Sequence, residues 1–97
     1  VVPFKKMWED AQVVILENEL ENLNIVERYN GGFVVREENG MEFINREDFV
    51  DFWCKMLCNK EVSKDDAAKE RKAMYIYDIV KNLPYVIENS DILKLVD

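Results

Sequence analysis

The side chains that could do chemistry in this chain are few in kind. Histidine is absent, which removes the usual general base and every Ser–His or Cys–His nucleophile pair. Two cysteines, Cys54 and Cys58, lie four apart in a helical pattern. They share a face without ideal disulfide geometry, and two thiols without an imidazole cannot complete a zinc site. They read as small, partly buried apolar residues. Carboxylates are plentiful: Glu17, Glu19 and Glu21 lie close together, and Glu37 and Glu38 flank a turn. Paired carboxylates can hold a divalent ion or carry out acid–base work, but spread along solvated faces they do neither. Asp65-Asp66 lacks the further ligands and the glycine of a calcium loop. The glycines, Gly31, Gly32 and Gly40, sit in turns and form no phosphate cradle. The expectation is a chain that is not an enzyme and has no metal and no cofactor.

One basic cluster stands out. Lys60, Lys64, Lys69, Arg71 and Lys72 are interleaved with Glu61, Asp65, Asp66 and Glu70, which leaves the cluster at +1. On a helix Lys69 and Lys72 share a side with Asp65, so local ion pairs are expected. Its functional reading is a phosphate-contacting patch made by Lys64, Lys69, Arg71 and Lys72. Tyr75 and Tyr77 follow. One of them completes the core, and the other is available to stack on a base or anchor a protein partner.

The whole-chain balance weighs against nucleic acid. The 97 residues carry 13 Lys and Arg against 20 Asp and Glu, a net charge of −7. Residues 1–45 hold 4 basic and 9 acidic residues, and residues 46–97 hold 9 and 11, so the first half is the more acidic. The longest apolar run is Val13–Leu16, far short of a membrane span. Acidic residues among the first twenty do not suit a secretory signal. With few thiols and no export signal, the expected location is the cytoplasm. The chain reads as one small domain, whole or excised from a longer protein, since Val1 is not an initiator methionine.

Elements must position these groups. Residues 4–23 read as a helix that starts at Pro3. It has two apolar stripes: Phe4, Trp8, Ala11 and Ile15, then Val13, Leu16, Leu20 and Leu23. Such a helix is sandwiched, bent, or left with one face for a partner. Strands follow at Ile25–Tyr29, Phe33–Glu37 and Met41–Ile44, with Asn39-Gly40 predicted to form a type I′ turn. Asn45 caps a helix whose stripe is Phe49, Phe52, Trp53, Met56 and Leu57 and which stops near Cys58-Asn59-Lys60. A single helix is expected from Ser63 to Leu83, stopped by Pro84. Strands Tyr85–Glu88 and Ile92–Val96 close the chain around Asn89-Ser90-Asp91. A faint echo at an offset of 60 residues pairs Asn22, Leu23 and Val26 with Asn82, Leu83 and Val86.

The predicted fold class is α+β, three helices packed on a small antiparallel sheet in the order helix, hairpin, helix, helix, hairpin. The second half is similar in arrangement to a winged helix. Arg46–Cys58 would be the supporting helix, Lys64–Leu83 the recognition helix and Tyr85–Val96 the wing. Asp65 and Asp66 stand where a DNA-reading helix exposes Arg, Lys, Asn or Gln. The leading expectation is therefore a non-enzymatic binding module that acts through protein contacts, with a homodimer or another protein as partner. Phe4, Trp8 and Ile15, beside Glu9 and Glu17, form the predicted interface. The alternatives are a winged-helix DNA-binding domain and an acidic inhibitor that imitates nucleic acid.

Overall fold

A computed structural model describes residues 2–17 and 23–96. The first helix, α1 (Phe4–Glu17), buries Met7, Ala11 and Ile15, one residue per turn. Phe4, Trp8 and Val14 pack half-buried beside them, while Val13 and Leu16 face outward. Val13 and Leu16 of the second predicted stripe are thus uncovered. Leu20, Asn22, Glu19 and Glu21 lie outside the described residues, and Leu23 is buried but no longer helical.

Three antiparallel strands come next: β1 (Ile25–Tyr29), β2 (Gly32–Glu37) and β3 (Gly40–Asn45), in the order β1-β2-β3. Alternation puts Phe33, Val35 and Ile44 on the core face. The predicted type I′ turn at Asn39-Gly40 is corrected. The loop residues are Glu38 and Asn39, Glu37 pairs with Gly40, and Gly40 leaves the turn at φ 149°. Centring the turn on Asn39-Gly40 would set Glu37 opposite Glu42, and like charges directly across a ladder repel. The observed register places Val35 opposite Glu42 instead.

The helix α2 (Arg46–Asn59) starts with the Asp48 carboxylate accepting from the Asn45 N–H at 2.8 Å. It buries Phe49, Phe52, Trp53 and Met56 as the spacing required. The Trp53 indole N–H donates to the Val2 carbonyl at 2.9 Å, tying the chain's start to the core. Lys60 ends the helix in the left-handed region at φ 65°.

The expected helix over 63–83 is corrected in two ways. Glu61–Ser63 forms a short strand, β4, and the helix is broken into α3 (Lys64–Ala67) and α4 (Arg71–Val80). Ser63 does cap α3, its hydroxyl accepting from the Asp66 N–H at 3.1 Å. The break has a geometric reason. Ala67 and Ile76 are both buried, yet nine residues on a straight helix are about two and a half turns, which would set them on opposite faces. Interrupting the helix lets both reach the core.

The last hairpin, β5 (Val86–Asn89) and β6 (Ile92–Leu95), joins β4 in a second antiparallel sheet of order β4-β6-β5. Ser90 and Asp91 form its turn, both at positive φ (53° and 61°). The fold is α+β, and among the described residues it has four helices and two three-stranded sheets rather than three helices on one sheet. Its order from α2 onward is compatible with the winged-helix-like arrangement. Side chains from both sheets and from α1, α2 and α4 form one buried cluster around Trp53, Tyr77, Phe33, Phe49 and Met7.

Candidate protein-interaction surface

The basic cluster does not converge. The Arg71 guanidinium lies 3.2 Å from the Glu37 carboxylate at the end of β2. The Lys72 ammonium sits 3.8 Å from both Glu42 on β3 and Asp48 on α2. Lys69 pairs with Asp66 at 3.2 Å in full solvent, a contact of little energetic weight. Lys64 is exposed. The two cations on α4 nearest the first sheet are therefore engaged by carboxylates supplied from elsewhere in the fold.

Both tyrosines are engaged as well. Tyr77 is buried in the core and its hydroxyl donates to Glu88 on β5 at 2.7 Å. Tyr75, half-buried, donates to Glu37. Burial, and then the Glu37 carboxylate, push the Tyr75 hydroxyl up to about 12. Burial and Glu88 push Tyr77 up further. A third bond of the same kind runs from Tyr85 to Asp10 on α1 at 2.7 Å. That bond, more than the neighbouring Lys6, holds the Asp10 carboxyl below its usual range.

The predicted interface residues form the edge of the core. Phe4 stacks on Trp8 with centroids 6.2 Å apart, and Trp8 meets the Phe49 ring edge-on at 5.1 Å. The Arg46 guanidinium lies 4.7 Å from the Phe4 ring centre. Ile15 is buried, and its carbonyl accepts two N–H bonds from Arg28 at 2.9 and 3.2 Å. Trp8 and Ile15 line a small groove of about 180 Å³, together with Leu16, Tyr29 and Gly32 and the polar Gln12, Arg28 and Asn30. The most open apolar side chain here is Leu16, at 67% exposure.

The groove continues onto the outer face of the first sheet. Alternation places Gly32, Val34 and Arg36 of β2 on that face, with Phe43 opposite Val34 and Met41 opposite Arg36. Tyr29 lies 6.3 Å from Phe43, ring centre to ring centre, and its hydroxyl donates to the Asn45 side-chain oxygen at 2.5 Å. Gly32 has to be glycine: a Cβ there would stand 2.3 Å from the Ile44 carbonyl oxygen and 2.8 Å from the Tyr29 hydroxyl. Met41 and Phe43 are each more than half exposed, whereas Val34 beneath them is buried without belonging to the core cluster. Leu16 was placed in the second apolar stripe of the first helix but not in the predicted interface, and Tyr29, Met41 and Phe43 were not singled out from the sequence. The available signal was the alternation in Met41–Ile44, which gives the strand two apolar faces where the core needs one.

Two further features lie away from this surface. An open cavity of about 390 Å³ lies between α2, β4, α3 and α4. Cys54 and Cys58 are both free and exposed, contrary to the expected partial burial, because the buried face of α2 is taken by Phe49, Phe52, Trp53 and Met56. Among the described residues no group of three or more His, Cys, Asp or Glu is placed to hold a metal ion, and no helix is long and apolar enough to cross a membrane. Compared with models of protein families, with curated proteins and with solved structures, the chain matches none.

Proposed function

We propose that the chain is a non-enzymatic protein-binding module that docks through the outer face of the first sheet and the adjoining groove beside α1. One observation carries this reading: Leu16, Tyr29, Met41 and Phe43 are exposed apolar side chains on a continuous surface, next to a groove walled by Trp8 and Ile15. Fully burying one such side chain is worth roughly 1.5–3 kcal/mol, and aromatic anchors dominate many interfaces. Trp8 and Ile15 serve as the floor, while Phe4 braces Trp8 from behind. The exposed thiols of Cys54 and Cys58 suit a reducing compartment such as the cytoplasm.

The test compares two positions of similar exposure, Phe43 on the first sheet (55%) and Ile87 on the second (50%). A photo-reactive residue at position 43 gives a discrete adduct, with a second copy or with another protein, and Leu16→Lys weakens it. A photo-reactive residue at position 87 gives none. No adduct from position 43, or equal labelling from both positions, refutes the reading.

DNA binding is the second reading, and the order of elements from α2 to β6 favours it. Against it stand the ion pairs that engage Arg71 and Lys72, since counterion release needs cations open to phosphate. A gel-shift titration at two salt concentrations separates the readings: no shift at low salt is expected, and a shift that falls steeply with salt would favour nucleic acid. The net charge of −7 also supports the reading as an acidic mimic of nucleic acid, which predicts a basic protein partner released by salt.

A further inference from the structure

The chain holds two Asn-Gly pairs, Asn30-Gly31 and Asn39-Gly40, one in each loop of the first sheet. Such a pair is open to attack from within, because glycine has no Cβ to keep its main-chain nitrogen away from the preceding side chain. Asn30 and Asn39 are both exposed. Among the described residues the asparagine side chains held by hydrogen bonds are Asn45, Asn82 and Asn89, so both candidates are unrestrained.

The two pairs differ in the state of the attacking nitrogen. The ladder between β2 and β3 begins with the Arg46 N–H on the Gly31 carbonyl at 2.9 Å. Alternation along it puts the Gly40 N–H on the Glu37 carbonyl, which closes that loop and ties up the nitrogen. Gly31 stands outside any ladder, because Tyr29 pairs with Gly32 across it. Neither the Gly31 N–H nor the Asn30 carbonyl has a main-chain partner among the described residues. The planar unit between them is therefore held at neither edge. It can turn about its flanking bonds while the Tyr29–Gly32 pair and the bond from Arg46 stay in place. Gly31, at φ 105°, tolerates that turning as no other residue does.

We propose that Asn30 is a site of spontaneous modification, with water as the only co-reactant. The Gly31 nitrogen loses its proton to solvent and forms a bond to Asn30 Cγ. The amide Cγ–N bond breaks and its nitrogen leaves as ammonia, closing a five-membered succinimide. Water then opens the ring at either carbonyl. One opening restores the main chain with an aspartyl residue. The other routes the main chain through the side chain and lengthens the loop by one methylene. Nothing is oxidised or reduced, and either product adds one negative charge to the wall of the groove, beside Gln12 and Arg28. The step does not depend on whether the groove docks a partner.

The test incubates the intact chain at neutral and mildly alkaline pH and follows tryptic peptides by mass spectrometry. Cleavage after Arg28, Arg36 and Arg46 separates the pairs, placing Asn30 in residues 29–36 and Asn39 in residues 37–46. The Asn30 peptide is expected to gain the mass of an acid replacing an amide about fivefold or more faster than Asn39, the factor that one main-chain hydrogen bond is worth. The rate rises with pH, and aspartyl and isoaspartyl products separate on chromatography. In urea, where the Gly40 bond is lost, the two rates converge. Asn30→Gln, whose ring would need six members, abolishes the fast conversion and leaves Asn39 unchanged. No conversion at Asn30, or conversion no faster than at Asn39, overturns the proposal. So does an aspartyl product without its isomer, which means direct hydrolysis. A rate difference that persists undiminished in urea overturns the role given to the fold.

Discussion

The two sheets have the same number of strands and the same antiparallel pairing, yet their outer faces differ. The first presents Tyr29, Met41 and Phe43 around a buried Val34. On the second, Lys94 stands between Glu61 and Ile87, and Ser63, Ile92 and Asn89 form the next row. Opposite charges side by side, as at Glu61 and Lys94, keep a sheet face content in water. Aromatic and thioether side chains do so poorly, and they are concentrated on one of two otherwise similar sheets, the face proposed above as the docking face.

The turns differ in the opposite sense. The first sheet places glycine where the backbone is unusual, at Gly31 (φ 105°) and Gly40 (φ 149°). The second makes its tight turn from Ser90 and Asp91, both left-handed, with no glycine. The first sheet thus rests on relaxed turns, while the second carries a conformational cost at its tip.

Three measurements break or sharpen this contrast. The largest effect is expected from Gly32→Ala. The new methyl meets the fixed Ile44 carbonyl and the Tyr29 ring, and overpacking of that kind costs about 2–3 kcal/mol. Thermal unfolding followed by circular dichroism should show a midpoint lower by about 10 °C or more. A variant that melts with the parent would mean the first sheet is not tightly registered. Next is Asp91→Gly, which relieves a left-handed non-glycine residue and should raise stability by about 0.5–1 kcal/mol. Gly40→Ala, on the other sheet, moves the urea midpoint the other way. Equal signs for the two would erase the difference in turn strain.

The smallest effect concerns alkaline pH. The folded state holds the Tyr75 hydroxyl at about 12 against an ordinary value of 10.0. The folded chain therefore keeps a proton that the unfolded chain gives up. The resulting stability is whole below the ordinary value and is lost as pH rises through the folded one. Urea midpoints taken at several alkaline pH values should fall less steeply in Tyr75→Phe than in the parent. Identical slopes would mean that the Tyr75 hydroxyl is not held, part-buried and against Glu37, in solution.

Much of the frame was legible in the sequence. β1 falls on Ile25–Tyr29 as expected, and the stripe from Phe49 to Met56 is buried as its spacing demanded. The last helix ends at Val80, three residues short of the expected Leu83 and so before Pro84 can act on it, while both closing strands lie within a residue of expectation. What was missed has physical reasons. A three-residue strand such as β4 has no period to detect. Residues 64–83 are compatible with one helix, and only the joint burial of Ala67 and Ile76 forces the break. The partners of Arg71 and Tyr75 are 34 and 38 residues away at Glu37, and a local pattern holds no record of such distances. The exposed face of the first sheet was hidden for another reason. Phe43 is as apolar as Ile44, and which of the two points inward is set by register with Phe33 and Val34.

One arrangement reaches beyond the sites. Tyr75 and Tyr77, two residues apart on α4, leave that helix on different sides, and each is held by a glutamate from a different sheet, Glu37 from β2 and Glu88 from β5. The helix is thus the keystone of the molecule. A disturbance at either ribbon reaches the same few backbone turns, so neither half of the chain offers the other a refuge when it lets go.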